Sequence, residues 1–234
     1  GINHWFNNSV SELEEMAAFD RTVERFLQRW EIKGASIAIM KDGKLLYCKG
    51  FGWADKEQNV PTEVKHIFRI ASISKLITAT GIMKLYESGK LSLDDKVFGE
   101  NGILCDSMFR NIKDARIKQI TVEHLLRHQG GYSIRAGDPL FNEVSVARQL
   151  GIQPPVSFDD MVRYAAETRL RYRPGAGNMY SNLGYVVLSK VIEKVSGMPY
   201  ETFIQDSILH PIGCMDMHIG YSFYEKRYPN EVHY

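Results

Sequence analysis

Ser72 and Lys75 stand three residues apart in the stretch FRIASISKL, at the point where an apolar pattern of helical spacing begins. This is the sequence's sole Ser-x-x-Lys. A serine opening a helix sits at the positive end of the macrodipole, where unpaired backbone N–H groups stabilise an alkoxide or oxyanion. A residue three positions later lies on the same face, about 4.5 Å along the axis. The pair therefore suits a hydroxyl nucleophile and an amine that takes its proton. An amine acting this way must be uncharged, and bringing an ordinary lysine from near 10.4 to about 7 costs roughly 4 to 5 kcal/mol. Burial supplies shifts of that size, and Ile70, Ala71, Ile73, Leu76 and Ile77 are the side chains expected to provide it. The competing reading makes Ser72 a helix cap, with Ser74 as a rival for that role, and Lys75 a solvated side chain.

A second pair lies about a hundred residues on, in RPGAGNMYSNLGYVVLSKVIEKVSG. Tyr180 and Asn182 form Tyr-x-Asn on a turn between a Pro/Gly-rich loop and an amphipathic helix, a place from which a phenol and a carboxamide can be aimed into a cleft. Tyr228 and Asn230 repeat the pattern, but Pro229 and the charged neighbours mark a surface turn.

The elements that must carry these pairs divide unevenly along the chain. SELEEMAAFDRTVERFLQRW opens with Ser11 and Glu14 at capping-box spacing and continues as an amphipathic helix through Met16, Val23, Phe26, Leu27 and Trp30. Asp42-Gly43 then predicts a hairpin with strands over 35–41 and 44–53. Helical spacing recurs over 72–88, 121–127, 158–167, 181–196 and 199–208. Between them, 130–157 is long for a connection and is expected to border a site or hold extra elements. A two-stranded hairpin is marginal by itself, and no later segment reads as its sheet partner.

Composition excludes several classes of function. With 29 Lys plus Arg against 28 Asp plus Glu, no net field draws the protein to nucleic acid. No apolar run reaches the roughly 18 residues that cross a bilayer. The three cysteines, Cys48, Cys105 and Cys214, lack disulfide-framework or zinc spacing and are expected in the core.

FRIASISKLITATGIMKLYESGKLSLDDKV, ITVEHLLRHQGGY and RPGAGNMYSNLGYVVLSKVIEKVSGMPYETFIQDSILHPIGCMDM together resemble, in order and spacing, the serine β-lactamase and penicillin-binding-protein family. The branch they resemble holds class C β-lactamases, D-alanyl-D-alanine carboxypeptidases and esterase-like relatives. The resemblance spans about Gly34 to His218. It implies an α+β fold in one domain, with residues 1–60 as helix plus hairpin and 61–234 mainly helical. It makes Ser72 the nucleophile that is acylated, Lys75 and Tyr180 the proton-transfer pair, and Asn182 a ligand of the substrate amide and of the lysine. Tyr132 is expected to line the cleft as a substrate-binding residue. His128 is expected to be structural, Phe51 and Trp53 to be core, and Arg171 and Arg173 to be solvated surface.

The family's third element, Lys-Thr-Gly or His-x-Gly on a strand, has no convincing counterpart. His218 to Gly220 has the letters but follows HPIGCMDM directly, where a chance match is the better account. Strands that complete the family's sheet are expected beyond Tyr234, so residues 1–234 are expected to be an N-terminal fragment of low activity. Its exposed sheet edge is expected to favour self-association. The activity implied is hydrolysis of a D-amino-acid peptide, β-lactam or ester in the periplasm, cell envelope or medium, without metal or organic cofactor. The alternative is a binding module that recognises such ligands without turnover.

Overall fold

The hairpin turn at Asp42 and Gly43 organises the first of two units. In the computed structural model, which describes residues 6–7, 14–135, 137–221 and 224–233, these two residues take φ of 51° and 72°. Two successive left-handed residues give the turn whose twist matches paired antiparallel strands, and glycine enters that region without steric cost. The turn joins β2 (Gly34–Lys41) to β3 (Lys44–Asp55), with β1 (Phe6–Asn7) on the other side of β3 and β4 (Val60–Pro61) pairing further along it. All three pairings are antiparallel. Against the hairpin lies α1 (Ala17–Arg29), and Leu27, Tyr47 and Phe51 form the centre of this core. Phe51 is thus core as expected, and Trp53 is half-buried. The amphipathic reading of α1 needs a correction, since Phe26 and Trp30 stand outside the packed face, 54% and 62% exposed. Ser11 of the expected capping box lies outside the described residues, and the helix grows instead from a tight turn at Glu14–Met16.

The tail of the chain supplies a neighbour that sequence periodicity does not reveal. Ile67 N–H donates to Asn230 O at 2.9 Å, and Val232 N–H donates to Ile67 O at 3.1 Å. Arg69 pairs with Glu231 at 2.9 Å. The first unit therefore comprises the chain up to Ile70 together with His218 onward, and the second comprises Ala71–Met217. The division expected at residue 60 falls at residue 70, and the C-terminal segment belongs to the first part rather than the helical one.

The second unit holds α2 (Ser74–Glu87), α3 (Val122–Leu126), α4 (Glu143–Leu150), α5 (Phe158–Glu167), α6 (Asn182–Ser196) and α7 (Tyr200–Ile204). Its core is built on α6, whose fully buried Val187, Leu188, Val191 and Ile192 share one cluster with Ile82 of α2 and Val162 of α5. Side-chain caps fix where four of these helices, α3 to α6, start. Ser181 Oγ accepts Gly184 N–H at 3.0 Å to begin α6, and reciprocal capping boxes open α3 at Thr121 and α5 at Ser157. The long connection 130–157 holds α4, started by Asn142 and stopped by left-handed Gly151. The three cysteines form no disulfide and are half-buried, rather than core as expected. Among the described residues no helix is long and apolar enough to cross a membrane.

Candidate active site

Ser72 lies in a tight turn, Ala71–Ile73, two residues ahead of α2. Ala71 enters it with a left-handed φ of 45°. The N-cap position of α2 is Ile73, with no side-chain cap, so neither Ser72 nor Ser74 is consumed by capping. Ser72 Oγ instead accepts the Tyr180 phenol proton at 2.7 Å and lies 3.4 Å from Lys75 Nζ. Lys75, in the first turn of α2, donates to Asn182 Oδ1 at 2.5 Å. Its Nζ is 4.7 Å from the centre of the Tyr180 ring and 5.8 Å from that of Tyr185. The four residues singled out by Ser-x-x-Lys and Tyr-x-Asn thus meet within the second unit.

The surroundings of the lysine differ from expectation. Ile73 and Leu76 point outward, 63% and 69% exposed, and Ala71 is exposed as well. The aliphatic flank does not enclose Lys75. Aromatic faces do that work, and their negative π surfaces attract a cation.

Tyr180 is held by main-chain bonds between two loops. Arg171 N–H donates to Gly131 O at 2.8 Å, Gly175 N–H to Gln129 O at 3.0 Å, and Met179 N–H to His128 O at 2.9 Å. Asn178 Nδ2 adds a bond to Arg127 O at 2.9 Å. At Gly131 the φ is +91°, and a Cβ there would fall 2.4 Å from Tyr172 O. Only glycine fits so close to that carbonyl. His128 does more than fill space. Ser181 N–H donates to its Nδ1 at 3.1 Å, which places the ring proton on Nε2, and the ring lies 4.7 Å from that of Tyr180.

The electrostatics follow from these contacts. The hydrogen bond from Lys75, and after it the one that the Ser72 hydroxyl can donate to the phenolate, lower the Tyr180 phenol below its ordinary 10.0, while burial and the charge of Asp138 oppose them. Burial first, and then Lys75, push the His128 imidazolium below the usual 6.5. A phenol that releases its proton more readily, beside a serine hydroxyl and an amine, can accept and return a proton.

Asp138 is a site residue that sequence reasoning missed. Asn182 Nδ2 donates to Asp138 Oδ2 at 2.7 Å, and Leu140 N–H donates to Asp138 Oδ1 at 3.0 Å. Asp138 caps the turn Pro139–Phe141, with proline at its first position. Asp followed by Pro is a readable helical-start signal, though nothing in the sequence ties it to Asn182.

Tyr132 requires a correction. Expected to line the cleft, it is packed in the core at 3% exposure, and its hydroxyl has no partner there. The Tyr132 ring packs into the core beside Gly130. Arg171 and Arg173 are exposed, and His218 to Gly220 lies outside any strand.

Residues 19–233 match the β-lactamase family model. Penicillin-binding protein 4* of Bacillus subtilis is 31% identical over 194 residues, which make up 82% of this chain and 39% of that protein. Esterase EstB of Burkholderia gladioli is 26% identical over 203 residues, covering 86% of this chain and 50% of the esterase. The chain therefore spans half or less of the length of these relatives. Among solved structures, the octameric penicillin-binding protein homologue from Pyrococcus abyssi superposes with a TM-score of 0.71 at 33% identity, covering 93% of this chain and 47% of that one. A family match that runs nearly end to end, with the α+β fold to accompany it, makes this chain a member of the β-lactamase family.

Proposed function

We propose that the protein is a serine hydrolase that forms an acyl-enzyme on Ser72, acting on a D-amino-acid peptide, a β-lactam or an ester. One observation carries the reading: Ser72 Oγ lies 2.7 Å from the Tyr180 hydroxyl and 3.4 Å from Lys75 Nζ, while Asn182 holds Lys75 at 2.5 Å. Ser72 Oγ attacks the substrate carbonyl carbon, and its proton passes to the Lys75 and Tyr180 pair as the new C–O bond forms. The base is assigned to the pair because Lys75 Nζ and the Tyr180 hydroxyl both approach Ser72 Oγ. The scissile bond then breaks as Tyr180 returns the proton to the departing amine or alkoxide. Water attacks the ester by the same route in reverse, releasing the acid and restoring the serine. The Ser72 N–H, at the start of a helical turn, serves as one donor to the oxyanion. Similarity to a penicillin-binding protein and to an esterase supports the substrate classes, and the former also supports a place in the cell envelope.

A fluorescent penicillin and a fluorophosphonate ester test this directly. Either probe is expected to label the purified protein covalently, slowly, in keeping with the low activity expected of residues 1–234, and labelling is expected to vanish in Ser72→Ala with the fold retained by circular dichroism. Saturable binding of penicillin that survives Ser72→Ala, with no covalent adduct by mass spectrometry, would replace the hydrolase with a binding module.

A further inference from the structure

We infer that Asp138 is a positioning residue, which selects one of the two orientations of the Asn182 carboxamide and through it aims the Lys75 amine at Ser72. The inference rests on the acyl-enzyme reading given above.

A carboxamide has two ends of nearly the same shape and opposite hydrogen-bonding sense. At Asn182 the oxygen faces Lys75 at 2.5 Å, and the NH₂ faces Asp138 Oδ2 at 2.7 Å. Turning the group over would set N–H against the lysine N–H groups, and oxygen against a carboxylate. Both contacts would become repulsive, so the carboxylate fixes the orientation from the far side. Asp138 can do this because it is itself held. Its second oxygen accepts Leu140 N–H at 3.0 Å, and buried Pro139 follows it at the start of the turn.

The effect reaches the reacting atoms through the lysine's own geometry. An uncharged amine has two N–H bonds and one lone pair. With one N–H directed to Asn182 Oδ1, the lone pair and the other N–H are left to sweep the side where Ser72 Oγ and the Tyr180 hydroxyl lie. Loss of that anchor would let the amine rotate, and misplacements of about 1 Å cost up to about 100-fold in rate. Asn182 also keeps the full negative charge of Asp138 one side chain away from the amine.

The test is a cycle of Asp138→Ala, Asn182→Ala and the double variant, read as the second-order rate of Ser72 labelling by a fluorophosphonate, per folded molecule. Asp138→Ala is expected to slow labelling about 10- to 100-fold. If Asp138 acts through Asn182, the double variant labels no more slowly than Asn182→Ala alone. Independent slowing in the Asn182→Ala background overturns the inference, as does an unchanged rate in Asp138→Ala. Should Asp138→Ala fail to fold, Asp138→Asn takes its place in the same cycle. It keeps the volume but one acceptor oxygen rather than two, and its expected rate lies between those of wild type and alanine. Wild-type protein that takes up no label removes the acyl-enzyme reading along with this one, whereas a labelled wild type with an additive cycle removes this one alone.

Discussion

Each unit of the molecule contains a lysine beside a tyrosine, and the two pairs are built to opposite ends. In the first unit Lys49 Nζ lies 2.6 Å from Asp20 Oδ2, and Tyr47 donates to Asp20 Oδ1 at 2.5 Å. The side chains of Lys49 and Asp20 are 8% and 16% exposed. In the second unit Lys75 meets a carboxamide, and Tyr180 meets a serine hydroxyl. Burial and the bond to Asp20 hold the Tyr47 phenol well above the ordinary tyrosine range, whereas Lys75 and Ser72 bring Tyr180 below it. A carboxylate in direct contact tightens a phenol's hold on its proton; an amine in contact loosens it. The difference teaches that burial and the acceptor beside the pair, not the pair itself, set how tightly each phenol holds its proton. Asp138 sharpens the point, since it brings a carboxylate to the second cluster with the Asn182 side chain in between.

Three substitutions probe this contrast, and the largest effect is expected at Lys75. Lys75→Met should slow labelling of Ser72 by about 10²- to 10⁴-fold, the range of a general base, with little change in thermal midpoint. It also removes the first cause of the lowered Tyr180 phenol. Residual labelling that depends on phenolate should therefore rise with pH through a higher pKa than in wild type, a shift legible in the pH-rate profile. A limb moving to lower pH would contradict the assignment of the lysine as the loosening group.

Asp20→Ala should act on stability instead. Taking the carboxylate from Lys49 and Tyr47 is expected to cost about 3 kcal/mol, read from urea unfolding, with labelling per folded molecule unchanged. The contrast breaks if this variant keeps its stability and loses labelling. The smallest effect is expected at the turn that sets the register of the strand bearing Tyr47 and Lys49. Gly43→Ala puts a Cβ on a residue with φ of 72° and should cost about 1 kcal/mol, seen as a lower urea midpoint with labelling intact. A neutral Gly43→Ala would mean the turn relaxes without strain.

Much of this was legible where the signal is local. Asp42-Gly43 placed the hairpin, and helical spacing placed α2, α3, α5 and α6 to within a few residues. Ser72, Lys75, Tyr180 and Asn182 stand out because each pair is close in sequence and sits at a helix start. What escaped is non-local or too short to show a period. Contacts of 230–233 with Ile67, Ala54 and Asp55 are isolated bridges and single hydrogen bonds that leave no alternation to read. The helix α4 spans two turns, although Asn142 and Gly151 mark its ends. Apolar side chains around Lys75 suggested a greasy pocket, but composition does not say which way a side chain faces, and Ile73 and Leu76 face out. Tyr132 fails for the same reason: its position in the loop was right and its side was wrong. Asp138 lies 44 residues from its partner, beyond the reach of any local pattern.

Three of the rungs that secure the Tyr180 loop join backbone atoms, from Arg171 to Gly131, Gly175 to Gln129 and Met179 to His128. Amide groups are common to nearly every amino acid, so that tether asks little of the side chains it passes. Exposed Arg171 and Arg173 can therefore be exchanged while the phenol keeps its station, provided position 131 stays bare of a side chain. Such a loop leaves its outward side chains free to vary around a fixed backbone.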